Sequence, residues 1–276
     1  MEIFQAIVLG VIQGLTEFLP ISSSGHLVLA QQILRFGSTG LVFEVFVHFG
    51  TVLSIVVLFR DDLARILIAF FTGITHPGNW PVRWRQDADF RMTWLILLGI
   101  LPAGVLGMAF ETEISAAFQS PLLVGAMLIF TGLILWSSRY ASQETDRIRW
   151  WQSVFIGCAQ ALAIIPGISR SGSTITAGLW LKIQPEQAAK FSFFLSIPVI
   201  LGASFLKFFE VLGGSLTHAQ IWVVIVGTVA SFISGLIAIV FLMRTLRQGR
   251  FSWFALYCIG VGVLTIVLQF LLTNSS

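Results

Sequence analysis

The chain has 276 residues, of which 56% are hydrophobic and only 11% charged, and its mean hydropathy is +0.90. A soluble domain of this length needs far more polar surface, so a soluble globular fold is excluded. The formal net charge of +3 does not point to nucleic acid, because the basic residues sit in short stretches between apolar runs, where the charge bias of membrane proteins accounts for them.

The first apolar region, residues 2–34, is broken by Pro20-Ile21-Ser22-Ser23-Ser24-Gly25. No basic stretch precedes it, so a cleaved signal peptide is not expected. Three uninterrupted apolar segments follow at 42–59, 92–110 and 122–136. A second broken region covers 151–181, interrupted by Pro166-Gly167-Ile168-Ser169-Arg170-Ser171-Gly172, and three more segments follow at 188–208, 221–243 and 251–272. Each unbroken segment approaches the roughly 20 residues that a spanning helix needs. Cys158 and Cys258 both lie in apolar runs and read as small buried residues, not as a disulfide framework.

The two broken regions resemble each other. Shifted by 147 positions, Gly10, Gln13, Leu15, Ile21, Ser22, Ser24 and Gly25 fall on Gly157, Gln160, Leu162, Ile168, Ser169, Ser171 and Gly172. The chain therefore reads as two repeats, 1–138 and 150–276, each a broken segment followed by three spans. Polar backbone at a break must be buried in protein or line a wet cavity. The nine residues after the first break reach only about 14 Å as a helix, too short to cross. Both broken regions are thus expected to be re-entrant helical hairpins, 2–34 and 151–181. An odd number of spans per repeat makes the second unit enter from the opposite side, the inverted-topology arrangement in which broken helices meet near the midplane. The predicted fold class is an all-α polytopic membrane protein of two such repeats.

Charge tests that topology. One face receives Arg60, Arg65, Arg83, Arg85, Arg91, Arg139, Arg147, Arg149, Lys182, Lys190, Arg244, Arg247 and Arg250; the other receives Arg35 and Lys207, and Arg170 lies in the second break. The basic face is expected in the cytoplasm, with both termini outside.

Gln13 and Glu17 are four apart and share a helix face ahead of Ser22, Ser23, Ser24 and His26. A carboxylate inside an apolar segment is costly and by default functional, against the plainer reading of a packing partner. The serines alone would be helix caps, and His26 alone a satisfied polar residue at a helix start. In the second break Arg170 stands among Ser169, Ser171, Ser173 and Thr174. A guanidinium fork, hydroxyls and the free N–H groups of a helix start all suit phosphate. The plainer alternative, an arginine snorkelling to the interface, does not suit a Pro/Gly-broken apolar run. Where the repeats differ, Glu17 falls on Ile164, Ser23 on Arg170 and His26 on Ser173. One unit supplies an acid and an imidazole, the other a cation and hydroxyls, a division of labour suited to phosphoryl transfer.

The stretches Gln13-Gly-Leu-Thr-Glu17-Phe-Leu-Pro-Ile-Ser-Ser-Ser-Gly-His26 and Pro166-Gly-Ile-Ser-Arg-Ser-Gly-Ser-Thr174 resemble the two signature motifs of the undecaprenyl-diphosphatase family, the bacitracin-resistance type. The resemblance extends over the whole chain and includes Phe43-Glu44 and Phe191-Ser192-Phe193; it departs at Gln13, where glutamate is common in the family. It implies hydrolysis of undecaprenyl diphosphate to the monophosphate in a bacterial inner membrane. Glu17, Ser23, His26 and Arg170 would be catalytic, and Ser22, Ser24, Ser169, Ser171, Ser173 and Thr174 would line the phosphate site. Gln13 and Glu17 would hold a divalent metal, magnesium or calcium. The implied partners are a prenyl diphosphate lipid and membrane lipid, with room for a homodimer. Ser23, His26 and water all stay open as the nucleophile. The main rival is a lipid-phosphate flippase on the same repeat. The other membrane phosphatase family, with a PSGH-like motif, lacks its upstream basic motif and second histidine here. A structural membrane protein would leave Glu17 and Arg170 unexplained.

Overall fold

The computed structural model describes residues 2–34, 40–142, 144–211 and 217–274. Among them every regular element is helical, and the β-bridge between Thr145 and Ile183 is isolated. In chain order the helices are α1 (Glu2–Phe18), α2 (Ser23–Leu34), α3 (Gly40–Leu58), α4 (Arg60–Thr75), α5 (Trp80–Gln86), α6 (Ala88–Ala109), α7 (Glu111–Ala117), α8 (Pro121–Ser137), α9 (Trp150–Leu162), α10 (Arg170–Trp180), α11 (Pro185–Val211), α12 (His218–Arg247) and α13 (Phe254–Asn274). The chain is an all-α polytopic membrane protein. The stretches Ala88–Ala109, Pro121–Tyr140, His218–Arg247 and Phe251–Leu271 are long and apolar enough to cross a membrane.

Helix ends follow local chemistry more than the edges of the apolar runs. The span read at 92–110 starts at Ala88 because the Asp87 carboxylate accepts from the Phe90 N–H, 2.9 Å. Ser120 and Thr217 cap α8 and α12 in the same way. The segment read at 42–59 ends at Leu58 and turns by 90° into α4, so residues 60–75, expected as loop, form a second helix. This helix is amphipathic: Leu67, Ile68, Phe71 and Ile74 face outward, while Ile66, Ala69 and Gly73 pack inward. A helix at right angles to a span, with an apolar outer stripe, suits the membrane interface. The cysteine reading needs one correction: Cys258 is buried, but Cys158 is exposed on α9.

Small residues set the tightest helix contacts, as expected where lipid leaves packing to drive association. α1 lies against α12, and a Cβ on Gly10 would collide with the carbonyl oxygen of Gly227. α9 lies against α6, and a Cβ on Gly157 would collide with the carbonyl oxygen of Gly99. α3 also meets both α11 and α12, and α8 meets α13. The largest apolar cluster draws on both halves of the chain, with Phe18, Phe191, Phe193, Leu135 and Ile175 fully buried.

The breaks satisfy their own backbone. Thr131 of α8 donates to the Gly167 carbonyl (2.9 Å) and accepts from the Ser169 N–H (3.0 Å). Gly167 has φ +96°, and a side chain there would strike the backbone of Val124. At the first break the Cys258 thiol donates to the Pro20 carbonyl, 3.4 Å. These bonds are what bare backbone inside a bilayer requires.

The basic loops gather at one end of the bundle. Arg65 pairs with Asp62 and Asp89, Lys190 with Asp62, Lys182 with Glu144 and Arg247 with Glu186. Of the two basic residues assigned to the other face, Arg35 and the side chain of Lys207 lie outside the described residues.

Candidate active site

The site is built from the two breaks. Each break ends in a serine whose hydroxyl caps the helix that follows: Ser22 Oγ accepts from the Gly25 N–H (3.3 Å), and Ser169 Oγ accepts from the Gly172 N–H (3.1 Å). Each capping hydroxyl also meets the serine two residues on, Ser24 or Ser171, at 3.3 Å in both cases. The Ser171 hydroxyl then donates across to the Leu19 carbonyl, 3.2 Å, tying the second break to the first. Ser22 holds a φ of 69°, the left-handed region uncommon for a residue with a side chain and frequent at functional sites.

The capped helices α2 and α10 begin with Ser23 and Arg170, and both first residues reach one carboxylate. Ser23 Oγ donates to Glu17 Oε2 at 2.7 Å, and Arg170 Nη2 donates to Glu17 Oε1 at 2.6 Å. Gln13, one turn back on α1, donates from Nε2 to Glu17 Oε2 at 2.9 Å. Glu17 is almost wholly buried, at 6% exposure, and Arg170 is 16% exposed. The second Arg170 nitrogen, Nη1, donates to the Ser192 carbonyl at 3.3 Å, and Thr174 steadies this wall through Ser192 Oγ (2.6 Å) and the Arg170 carbonyl (2.8 Å). Two helix starts thus converge on one point, and their free N–H groups and positive dipole ends make it a place for a multiply charged anion.

A cavity of about 250 Å³ opens at this point, lined in part by Glu17, Ser23, Ser24, Glu44, His48, Gln160 and Arg170. Of the residues singled out in the sequence, Glu17, Ser23, Ser24 and Arg170 line the cavity, and Gln13 is bonded to Glu17 behind them. Ser22, Ser169, Ser171 and Thr174, expected to line the phosphate site, are buried behind the lining, where they hold the helix starts and Arg170 in place. Two do not join them. Ser173 is buried with no hydrogen-bond partner for its hydroxyl. His26 turns away into a different cavity: its Nδ1 bonds the Ser22 carbonyl (2.8 Å) and its Nε2 meets the Tyr257 hydroxyl (2.9 Å). A carbonyl can only accept, so Nδ1 carries the proton, and in the neutral ring Nε2 accepts from Tyr257.

The sequence reading passed over His48 and Gln160. His48 Nε2 lies 3.9 Å from Glu17 Oε2, and its Nδ1 donates to the Glu44 carbonyl at 2.7 Å. Its signal was present, an ionisable side chain inside an apolar segment. Gln160 is the repeat mate of Gln13, and both its amide atoms are buried without partners.

Gln13 Oε1 is also buried and unpartnered, an oxygen ligand of the kind hard cations take. Among the described residues no group of three or more His, Cys, Asp or Glu side chains is placed to hold a metal ion. A cation here would rest on Gln13, Glu17 and oxygens of the bound substrate, the usual arrangement for magnesium with phosphates.

The model of the bacitracin resistance protein BacA family matches residues 6–264. A protein of Halothermothrix orenii named undecaprenyl-diphosphatase is 42% identical over 97% of this chain and 98% of its own length. Proteins of the same name from Desulforapulum autotrophicum (38% identity, 98% of this chain, 99% of the relative) and Methanobrevibacter smithii (39% identity, 97% of this chain, 98% of the relative) are similar throughout.

Proposed function

Because the chain belongs to the bacitracin resistance protein BacA family, we infer that it hydrolyses undecaprenyl diphosphate to undecaprenyl phosphate and inorganic phosphate. The reaction recycles the lipid carrier of cell-wall synthesis. The observation that carries the chemistry is the convergence of Ser23 and Arg170, each the first residue of a capped helix, on the Glu17 carboxylate.

In this reading the terminal phosphoryl group sits between the starts of α2 and α10, with the Arg170 fork on its oxygens. Glu17 Oε2 takes the proton of Ser23 Oγ as that oxygen attacks the terminal phosphorus. The bridging P–O bond breaks and undecaprenyl phosphate leaves. Water then attacks the phosphoserine and gives up one proton to solvent, the Ser23 O–P bond breaks as Glu17 returns its proton to Ser23 Oγ, and inorganic phosphate departs. The 2.7 Å Ser23–Glu17 hydrogen bond supports Ser23 over His26, whose ring nitrogens are engaged by Ser22 and Tyr257. The proposal includes a divalent metal, magnesium or calcium, on Glu17 and Gln13 Oε1, where it would neutralise diphosphate charge. A lipid flippase built on the same repeat has no need of a hydroxyl held against a carboxylate. Purified protein should release phosphate from farnesyl diphosphate and leave farnesyl phosphate. A chelator should stop release, and added magnesium or calcium should restore it. Absence of release in either metal would contradict the reading.

The proposal also covers topology: inverted repeats at 1–138 and 150–276, the basic end in the cytoplasm of the bacterial inner membrane, and both termini outside. The packing supports it, because α1 lies on α12 as its repeat mate α9 lies on α6, with Gly10 and Gly157 at equivalent contacts. The matched serine caps of the two breaks support it as well. Reporter fusions at Asn79 and after Ser276 are expected on opposite sides of the membrane; finding both on one side would rule the arrangement out.

A further inference from the structure

A second and larger cavity, of about 840 Å³, lies on the other face of α1. Its walls come from α1, α2, the end of α12 and the start of α13. It shares no lining residue with the reaction cavity: Ile12, Leu15, Thr16 and Leu19 face the groove, while Glu17, on the same helix, faces the reaction site. The two cavities thus lie on different faces of α1.

The groove is apolar along its length and basic at one end. Phe241, Trp253, Phe254 and Tyr257 form its aromatic side, and Arg250, with Gln248 and Thr245, stands at the end beside the basic loops. The Arg250 guanidinium lies over the Trp253 ring, 5.3 Å from its centroid, and among the described residues it makes no ion pair. Arg65, Lys182, Lys190 and Arg247 at the same end of the bundle each have a carboxylate; several arginines there, Arg139 and Arg244 among them, have none among the described residues, and Arg250 is the one that lines the groove. An arginine left free at the mouth of an apolar groove complements a lipid with one anionic head.

We propose that this groove is a second lipid site that holds a prenyl monophosphate, its chain along α1 and α13 and its phosphate on Arg250. The identification of the lipid rests on the diphosphatase reading, since a prenyl monophosphate is what that reaction makes; the existence of an anionic-lipid site does not.

The test uses the full chain in phosphatidylcholine nanodiscs and a diazirine-bearing farnesyl monophosphate, which is not a substrate of the reaction. After illumination, label is expected on peptides covering residues 241–257. An excess of farnesyl monophosphate should compete it away, and farnesol or phosphatidylglycerol should not. Arg250→Glu, and to a lesser degree Arg250→Gln, should reduce labelling by at least about tenfold, the loss of one charge-assisted hydrogen bond. Both variants should release phosphate from farnesyl diphosphate at the wild-type rate, which also shows that they fold. Label confined to peptides around Glu17 and Ser23, undiminished label in Arg250→Glu, or equal competition by farnesol would overturn the proposal. Equal competition by phosphatidylglycerol would overturn its lipid identity. Failure of the wild-type protein to release phosphate would strike the diphosphatase reading and the lipid identification that rests on it, but not the anionic-lipid site, because the labelling assay involves no hydrolysis.

Discussion

Glu17→Gln should lower phosphate release by about 10²–10⁴-fold, the usual contribution of a positioned acid–base group. The substitution keeps the shape of the side chain, and its amide oxygen can still accept from Arg170, so the bundle should assemble. It removes the charge on which Arg170, Ser23 and Gln13 converge. Breaking a buried ion pair by removing one partner is destabilising, so the melting temperature in detergent should also fall by a few degrees. Rate and melting temperature are best measured on one preparation. A protein that melts lower yet turns over at the wild-type rate would reduce Glu17 to a packing partner and make the flippase reading the stronger one.

Ser23→Ala should be as damaging to the rate and far gentler on the fold. The hydroxyl donates one hydrogen bond, to Glu17, and the cap of α2 belongs to its neighbour Ser22. Nucleophile and base act as a unit, so a loss of at least about 10³-fold is expected with little change in melting temperature. His26→Ala is the informative control. His26 lies in the wall of the other cavity, bonded to Ser22 and Tyr257, so its loss should loosen the first break and leave a larger residual rate than Ser23→Ala. The reverse order of the two variants would contradict the assignment.

Much of this site can be read from the residues alone. The i, i+4 spacing of Gln13 and Glu17 places both on one face, and they are bonded there at 2.9 Å. Aligning the repeats pairs Ser23 with Arg170, and the structure brings both to Glu17. What the sequence does not contain is direction. His26 follows Ser23 by three residues on the same helix, but it lines the other cavity, bonded to the Ser22 carbonyl and to Tyr257, 231 positions away. No local pattern encodes a partner that distant. His48 is a different case. Its apolar neighbours make α3 read as an ordinary span, and its place beside Glu17 depends on how α3 packs against the first hairpin. The helix α4 was hidden by its charges: Arg60, Asp61, Asp62 and Arg65 resemble a loop, whereas its outer stripe of Leu67, Ile68, Phe71 and Ile74 has helical spacing. Arg170 was legible as an anion ligand, but its resting partner was not, because a salt bridge between the two breaks requires the fold to bring them together.

The central claim is that phosphoryl transfer takes place where Ser23 and Arg170 meet Glu17, and the most direct measurement is to catch the phosphoryl group in transit. Purified protein would be mixed with farnesyl diphosphate labelled at the terminal phosphorus, stopped within a single turnover at neutral pH in denaturing detergent, and digested for peptide mapping. The account predicts a phosphate ester on Ser23 that forms as farnesyl phosphate appears, decays as inorganic phosphate is released, and is absent in Ser23→Ala. Label on His26, or complete turnover with no labelled peptide at any time point, would contradict it.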